Sequence, residues 1–214
     1  MAERAAAPGA RKGFSLPQVP KILVYGVGFV PAVWLFYQGI NDRLGADPMR
    51  YLEQALGLWA LRFLIATLAI TPLRQLFAVN LLRYRRALGL LAFYYALLHL
   101  LTYLVLDQGL DLAAIGADIV KRPYITIGMA TFVILVPLAL TSTNAAIRRM
   151  GGQAWARLHR LVYVAAIGAV LHFILVVKSW PPEPLVYAAI VTGLLGYRLV
   201  HSLGRKAAPR RRPA

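Results

Sequence analysis

The chain has 214 residues, 59% of them hydrophobic and 15% charged, with a formal net charge of +16. That composition is too apolar for a soluble domain of this size and predicts an integral membrane protein. Cysteine is absent, which excludes disulfides, thiolate metal sites and iron–sulfur clusters.

Apolar stretches long enough to cross a bilayer, roughly 17 to 25 residues, fall at 22–40, 55–73, 87–106, 124–140, 154–177 and 184–200. The predicted fold is an all-α bundle of six transmembrane helices over residues 22–203, with tails at 1–21 and 204–214 and no room for a soluble domain. The charge is unevenly placed. The tails, the connections after spans two and four and the helix ends beside them carry 18 basic residues and one acid, Glu3; the other three connections carry five basic residues and seven acids. By the positive-inside rule the basic set is cytoplasmic, as are both termini. The basicity is therefore topological and does not point to nucleic acid.

Residues 1–21, rich in Ala, Pro and Gly with four basic side chains, read as a cytoplasmic tail. The first apolar run is longer than a usual signal core and lacks a small-x-small exit, so it reads as a retained span without ionisable groups. In the following outer connection, LGADPM marks a turn at Gly45 and Pro48. Span two carries Arg62, about 10 to 13 Å below the outer surface at 1.5 Å per residue. It either snorkels outward or partners an anionic cofactor group. ITPLR, at residues 70–74, ends the span, with proline unable to donate a backbone hydrogen bond and arginine meeting the headgroups.

Span three holds His99, 13 residues after Arg86; span five holds His172, 12 residues after Arg160. Both spans run outward, so both imidazoles should lie at nearly one depth, about 18 to 20 Å from the cytoplasmic edge. The connection at 107–123 is acidic, and span four contains no ionisable residue. His159 lies at the inner boundary, about 20 Å of helix rise from His172 and roughly 140° away around a straight helix. The two are therefore not expected to face one neighbour. His201, near the inner end of span six, is the remaining histidine and stands at a depth where it could pair with His159. The tail at 205–214 reads as a polybasic lipid anchor.

An ionisable residue inside a span is costly and is read first as functional. Two histidines alone specify a zinc or non-haem iron site poorly, and no acid lies within the predicted spans. Haem supplies four nitrogens itself and needs only axial ligands. It also needs a slot, and small residues share the histidine faces: Gly168, Ala169 and Ala165 below His172, Ala96 and Ala92 below His99. Small residues also permit close helix packing without a cofactor, so two histidines bonded to neighbouring helices remain an alternative. A proton or ion pathway built on Arg62 and the intramembrane histidines is another. No internal repeat is apparent, which weakens a secondary-transporter reading.

LGADP, ATLAITPLR, RYRRALGLLAFYYALLHLLTY, RPYITIG and LTSTNAAIRRMGGQAWARLHRLVYVAAIGAVLHF, in this order across residues 44–197, resemble the MsrQ (YedZ) family. These are haem-binding membrane subunits of bacterial periplasmic methionine sulfoxide reductase systems, in the ferric-reductase-like transmembrane superfamily. The resemblance implies a six-span b-type cytochrome of the inner membrane, with one or two haems. Its electrons would pass outward to a soluble periplasmic molybdopterin reductase, MsrP, that repairs oxidised envelope proteins. His99, His159 and His172 match the family's haem-ligand positions. Flavin mononucleotide (FMN) and input from quinol or a cytoplasmic flavin reductase are further implications that attach to no residue. On this reading His99 and His172 ligate the outer haem, with Arg62 neutralising one of its propionates, and His159 serves a second redox group nearer the cytoplasm.

Overall fold

The computed structural model describes residues 19–177 and 181–207. The tails expected at 1–21 and 204–214 therefore lie largely outside the described residues. All the regular structure described is helical: α1 Lys21–Ile40, α2 Pro48–Phe77, α3 Arg85–Leu101, α4 Leu112–Lys121, α5 Pro123–Leu140, α6 Asn144–Met150, α7 Gly152–Leu158, α8 Val162–Val176 and α9 Pro182–Ala207, with short 3₁₀ turns at Leu82–Tyr84 and His159–Leu161. Among the described residues six helical segments are long and apolar enough to cross a membrane, and they coincide with the six expected spans.

Local chemistry explains the boundaries. Asp47 accepts from the backbone N–H of Arg50 and Pro48 occupies the first helical turn, so the LGADPM turn leads straight into α2. Glu53, expected in the loop, is consequently helical. Asp111 accepts from Ala113 and Ala114 N–H and starts α4, a helix inside what had read as an acidic connection. Thr143 caps α6 through Ala146 N–H. Helix α9 continues to Ala207, past the expected boundary at residue 203.

Helix α2 packs along α3 and α5 along α8, with α1 against α2 and α3 and α9 against α2 and α8. One buried cluster joins Leu61, Leu64, Leu68, Ala92, Leu138 and Ala166; another joins Ala32, Leu35, Leu56, Leu91 and Tyr95. In lipid, such contacts hold helices by close packing and internal hydrogen bonds more than by water exclusion. Tyr95 supplies one such bond where Pro31 interrupts α1: its hydroxyl donates to Gly28 O at 2.7 Å and accepts from Ala32 N–H at 3.0 Å. Gly28 admits the Leu91 side chain, which any Cβ there would meet.

Two distortions adjoin the histidines. The chain beyond His99 widens into a π-helical turn at Thr102–Asp107, a form common at functional sites. There Tyr103 donates to Asp118 on α4 at 3.2 Å. On the other side, the 3₁₀ turn at His159–Leu161 separates α7 from α8.

Candidate functional site: two cavities stacked along the bundle

His99 on α3 and His172 on α8 face each other across a cavity of about 1490 Å³. Their ring centroids are 6.0 Å apart and their planes cross at 78°. Each Nδ1 meets a backbone carbonyl: His99 donates to Glu53 O at 2.8 Å and His172 to Tyr124 O at 2.7 Å. A carbonyl can only accept, so Nδ1 carries a proton in both rings; a charged ring inside a span without a carboxylate partner is disfavoured, so each imidazole is neutral and Nε2 keeps its lone pair. Neither Nε2 has a hydrogen-bond partner among the described residues. These are two neutral imidazoles in the tautomer that binds a metal through Nε2, each oriented by a carbonyl behind it.

The spacing supplies a test of fit. With a metal–nitrogen bond of about 2.0 Å and Nε2 roughly 1.1 Å from its ring centroid, imidazoles on opposite sides of one metal ion have centroids about 6 Å apart. The separation found agrees. Among the described residues no group of three or more His, Cys, Asp or Glu could hold a metal without such help, so the pair suits an ion whose remaining ligands come from a macrocycle. The cavity has room for one, with Ala92, Ala96 and Ala169 in its wall. Ala165 is instead buried in the core. Gly168 receives Thr131 from α5, whose hydroxyl a Cβ would strike.

Arg62 lines the same cavity, as its expected depth implied. Its guanidinium lies over Trp59 at 5.0 Å, and Nε donates to the Tyr187 hydroxyl at 2.8 Å, leaving the terminal nitrogens to meet a ligand. Asp47, Arg50, Glu53, Asp107, Arg122 and Glu183 line the end of the cavity nearest the acidic connections.

A second cavity of about 910 Å³ opens toward the basic connections. Leu64 and Leu135 line both cavities and form a thin apolar partition. Lys21, Arg83, Arg85, Arg86, Arg157 and Arg160 border the second cavity, and among the described residues no carboxylate does. His159 also lines it. Its ring stacks on Trp155 at 3.9 Å, and Nε2 meets the Thr141 hydroxyl at 3.0 Å. That hydroxyl already donates to Pro137 O at 2.6 Å, so it accepts from Nε2–H. Trp155 Nε1 donates to Thr141 O at 2.9 Å and locks the group.

One expectation is corrected. His159 and His172 do face the same neighbour, α5, at its two ends: Thr141 just past the C-terminus and Tyr124 near the start. The 140° estimate assumed a straight helix, and the 3₁₀ turn at His159 removes that assumption. His201 is not brought to His159. It meets Gln75 Nε2 at 3.1 Å and stacks on Tyr197.

Arg198 is inconspicuous in the sequence, where it sits among the basic residues that close span six. It joins three helices: Nη2 donates to Leu68 O at 2.7 Å and Thr71 Oγ1 at 3.1 Å, Nη1 to the Tyr163 hydroxyl at 2.9 Å, and its buried Nε has no partner among the described residues. An arginine deeper than the other inner-end cations was the available signal.

The geometry agrees with comparisons to known proteins. Residues 56–182 match the family described as ferric reductase like transmembrane component. The chain is 59% identical over 210 residues to the protein-methionine-sulfoxide reductase heme-binding subunit MsrQ of Brucella anthropi, covering 98% of this chain and 95% of that one. The subunits of the same description from Brucella ovis and Brucella canis are each 60% identical over 191 residues, covering 89% of this chain and 86% of theirs. With two facing imidazoles in a six-span bundle and relatives this similar over nearly its whole length, the chain is a multi-pass membrane protein that belongs to the MsrQ family of haem-binding subunits, within the ferric-reductase-like transmembrane proteins.

Proposed function

We propose that the chain is a b-type cytochrome carrying electrons across the inner membrane, from its basic cytoplasmic end to a methionine sulfoxide reductase at its acidic periplasmic end. The observation that carries this reading is the pair His99 and His172, 6.0 Å apart between centroids, with both Nδ1 protons held on carbonyls. His99 and His172 would hold haem b, which would supply one-electron exchange at iron with a potential set by the protein around it.

The chain's own residues perform the rest. Glu53 O and Tyr124 O fix ring orientation and tautomer, and the hydrogen bonds they accept make each imidazole a stronger donor through Nε2. Arg62 places positive charge in an apolar wall, held by Tyr187 and Trp59, where it would neutralise a propionate. The inner cavity, lined among the described residues by six cations and no carboxylate, favours an anionic redox group beside His159, either a second haem or FMN. For Nε2 of His159 to become a ligand, its bond to Thr141 has to open. The donor is quinol or a cytoplasmic flavin reductase, and the acceptor is the molybdopterin subunit MsrP. Reduction of methionine sulfoxide consumes two electrons and two protons and releases water, and it takes place on that partner.

The test is optical. Purified protein should give a b-type pyridine haemochrome and a reversible redox titration. Protein without a Soret band after expression with ample haem would refute the cytochrome reading and favour the proton or ion pathway through Arg62 and the histidines.

A further inference from the structure

Helices α2 and α5 repeat one local arrangement that the sequence does not advertise. Gly57 stands four residues after Glu53, and Gly128 four residues after Tyr124, the two residues whose carbonyls accept from the histidines. In an α-helix, positions i and i+4 share a face and every Cα–Cβ bond tilts toward the N-terminus. A side chain at i+4 therefore stands over the carbonyl at i. At both positions the side chain is missing and an imidazole fills the space. A Cβ on Gly57 would lie 3.0 Å from His99 Nδ1 and 3.2 Å from its Cε1; one on Gly128 would lie 2.8 and 2.9 Å from the same atoms of His172. These approaches are closer than ordinary van der Waals contact. The rings cannot retreat without giving up bonds of 2.8 and 2.7 Å.

Glycine inside a helix is unfavourable, so two of them at matched positions require a reason. Gly26, Gly116 and Gly193 differ, since a Cβ on any of them would meet nothing within 4 Å.

We infer that Gly57 and Gly128 are positioning residues for the two ligand histidines, the absent side chains allowing each Nδ1–H to reach a helical carbonyl and so setting the direction and basicity of Nε2. This rests on the haem reading of the outer cavity. Loss of the hydrogen bond makes the imidazole a poorer donor to ferric iron, so the potential rises as affinity falls.

The experiment compares Gly57→Ala and Gly128→Ala with Gly26→Ala and Gly193→Ala in the full-length, detergent-purified protein. The first two should lose about 10- to 100-fold in haem affinity, by analogy with other outer-shell partners of metal-bound histidines. Protein reconstituted with excess haem should show a higher midpoint potential and an altered low-spin EPR signal. The controls should match wild type. Wild-type affinity, potential and EPR in both test variants would overturn the inference. Should either variant fail to fold, redox-difference infrared spectra of wild type with isotope-labelled histidine decide: ring modes of an imidazole donating from Nδ1 to a carbonyl are expected, and modes of a free Nδ1–H overturn it. Failure of the haem reading itself would appear earlier, as wild type that binds no haem.

Discussion

Among the described residues, two imidazoles face each other across the outer cavity with no partner at Nε2, whereas in the inner cavity one imidazole bonds through Nε2 to Thr141 and six cations face no carboxylate. The outer histidines are fixed by main-chain carbonyls, whose positions follow from the helices themselves. His159 is fixed by a side-chain hydroxyl and a tryptophan, both beside a break between helices. The two outer rings are thus held in place by the backbone itself. The inner cavity is bordered by cations, which would suit a negatively charged group, and iron could reach His159 Nε2 only if the bond to Thr141 opened. A thin wall, Leu64 and Leu135, lies between the two cavities.

This contrast can be broken or sharpened by substitution. The largest effect is expected from His99→Ala or His172→Ala, each of which should remove the outer haem almost completely, because a buried site left with one axial ligand loses the symmetry that defines it; haem content by pyridine haemochrome reads the result. His159→Ala should leave the outer low-spin EPR signal in place while slowing its reduction from the cytoplasmic side at least about tenfold, a rise of roughly 1.4 kcal/mol in the barrier. Equal loss of the outer signal would show that the two cavities do not act separately. Next in size is Arg62→Gln. Removing a positive charge favours the ferric state, so the midpoint potential should fall by some tens of mV, where about 59 mV corresponds to a tenfold change in a one-electron equilibrium. An unchanged potential in a redox titration would mean that Arg62 serves α9 through Tyr187 and not the cofactor. The smallest shift is expected from Tyr187→Phe, which frees Arg62 Nε but keeps the charge and the Trp59 contact; its potential should lie between those of wild type and Arg62→Gln.

The six spans were readable because length and apolarity alone decide whether a helix crosses lipid. The level shared by His99 and His172 was readable because rise is counted along the axis from Arg86 and Arg160, and the short 3₁₀ turn that contains Arg160 changes the height far less than the rotation. Counting failed for His159, where a 3₁₀ turn changes the rotation per residue, so the prediction that it faces away from the neighbour of His172 was wrong. Helix α4 was hidden by the acidic residues around it, although Asp111 is a legible cap. The small residues sought beside each histidine lay on its own helix, and three of them do line the cavity. The glycines closest to the rings lie on α2 and α5, and pairing those helices with α3 and α8 is a tertiary fact that no local pattern announces. Arg198 was overlooked for a related reason: its depth becomes visible only when Leu68, Thr71 and Tyr163 are seen around it.

The central claim is that His99 and His172 hold one haem between nearly perpendicular rings. Low-temperature EPR of the oxidised wild-type protein, with haem per polypeptide measured on the same sample, tests it most directly. A strongly anisotropic low-spin ferric signal, lost in both His99→Ala and His172→Ala and retained in His159→Ala, is the result predicted from the 78° between the ring planes. A wild-type signal that is high-spin only, or survival of the strongly anisotropic signal when either His99 or His172 is replaced, would contradict it.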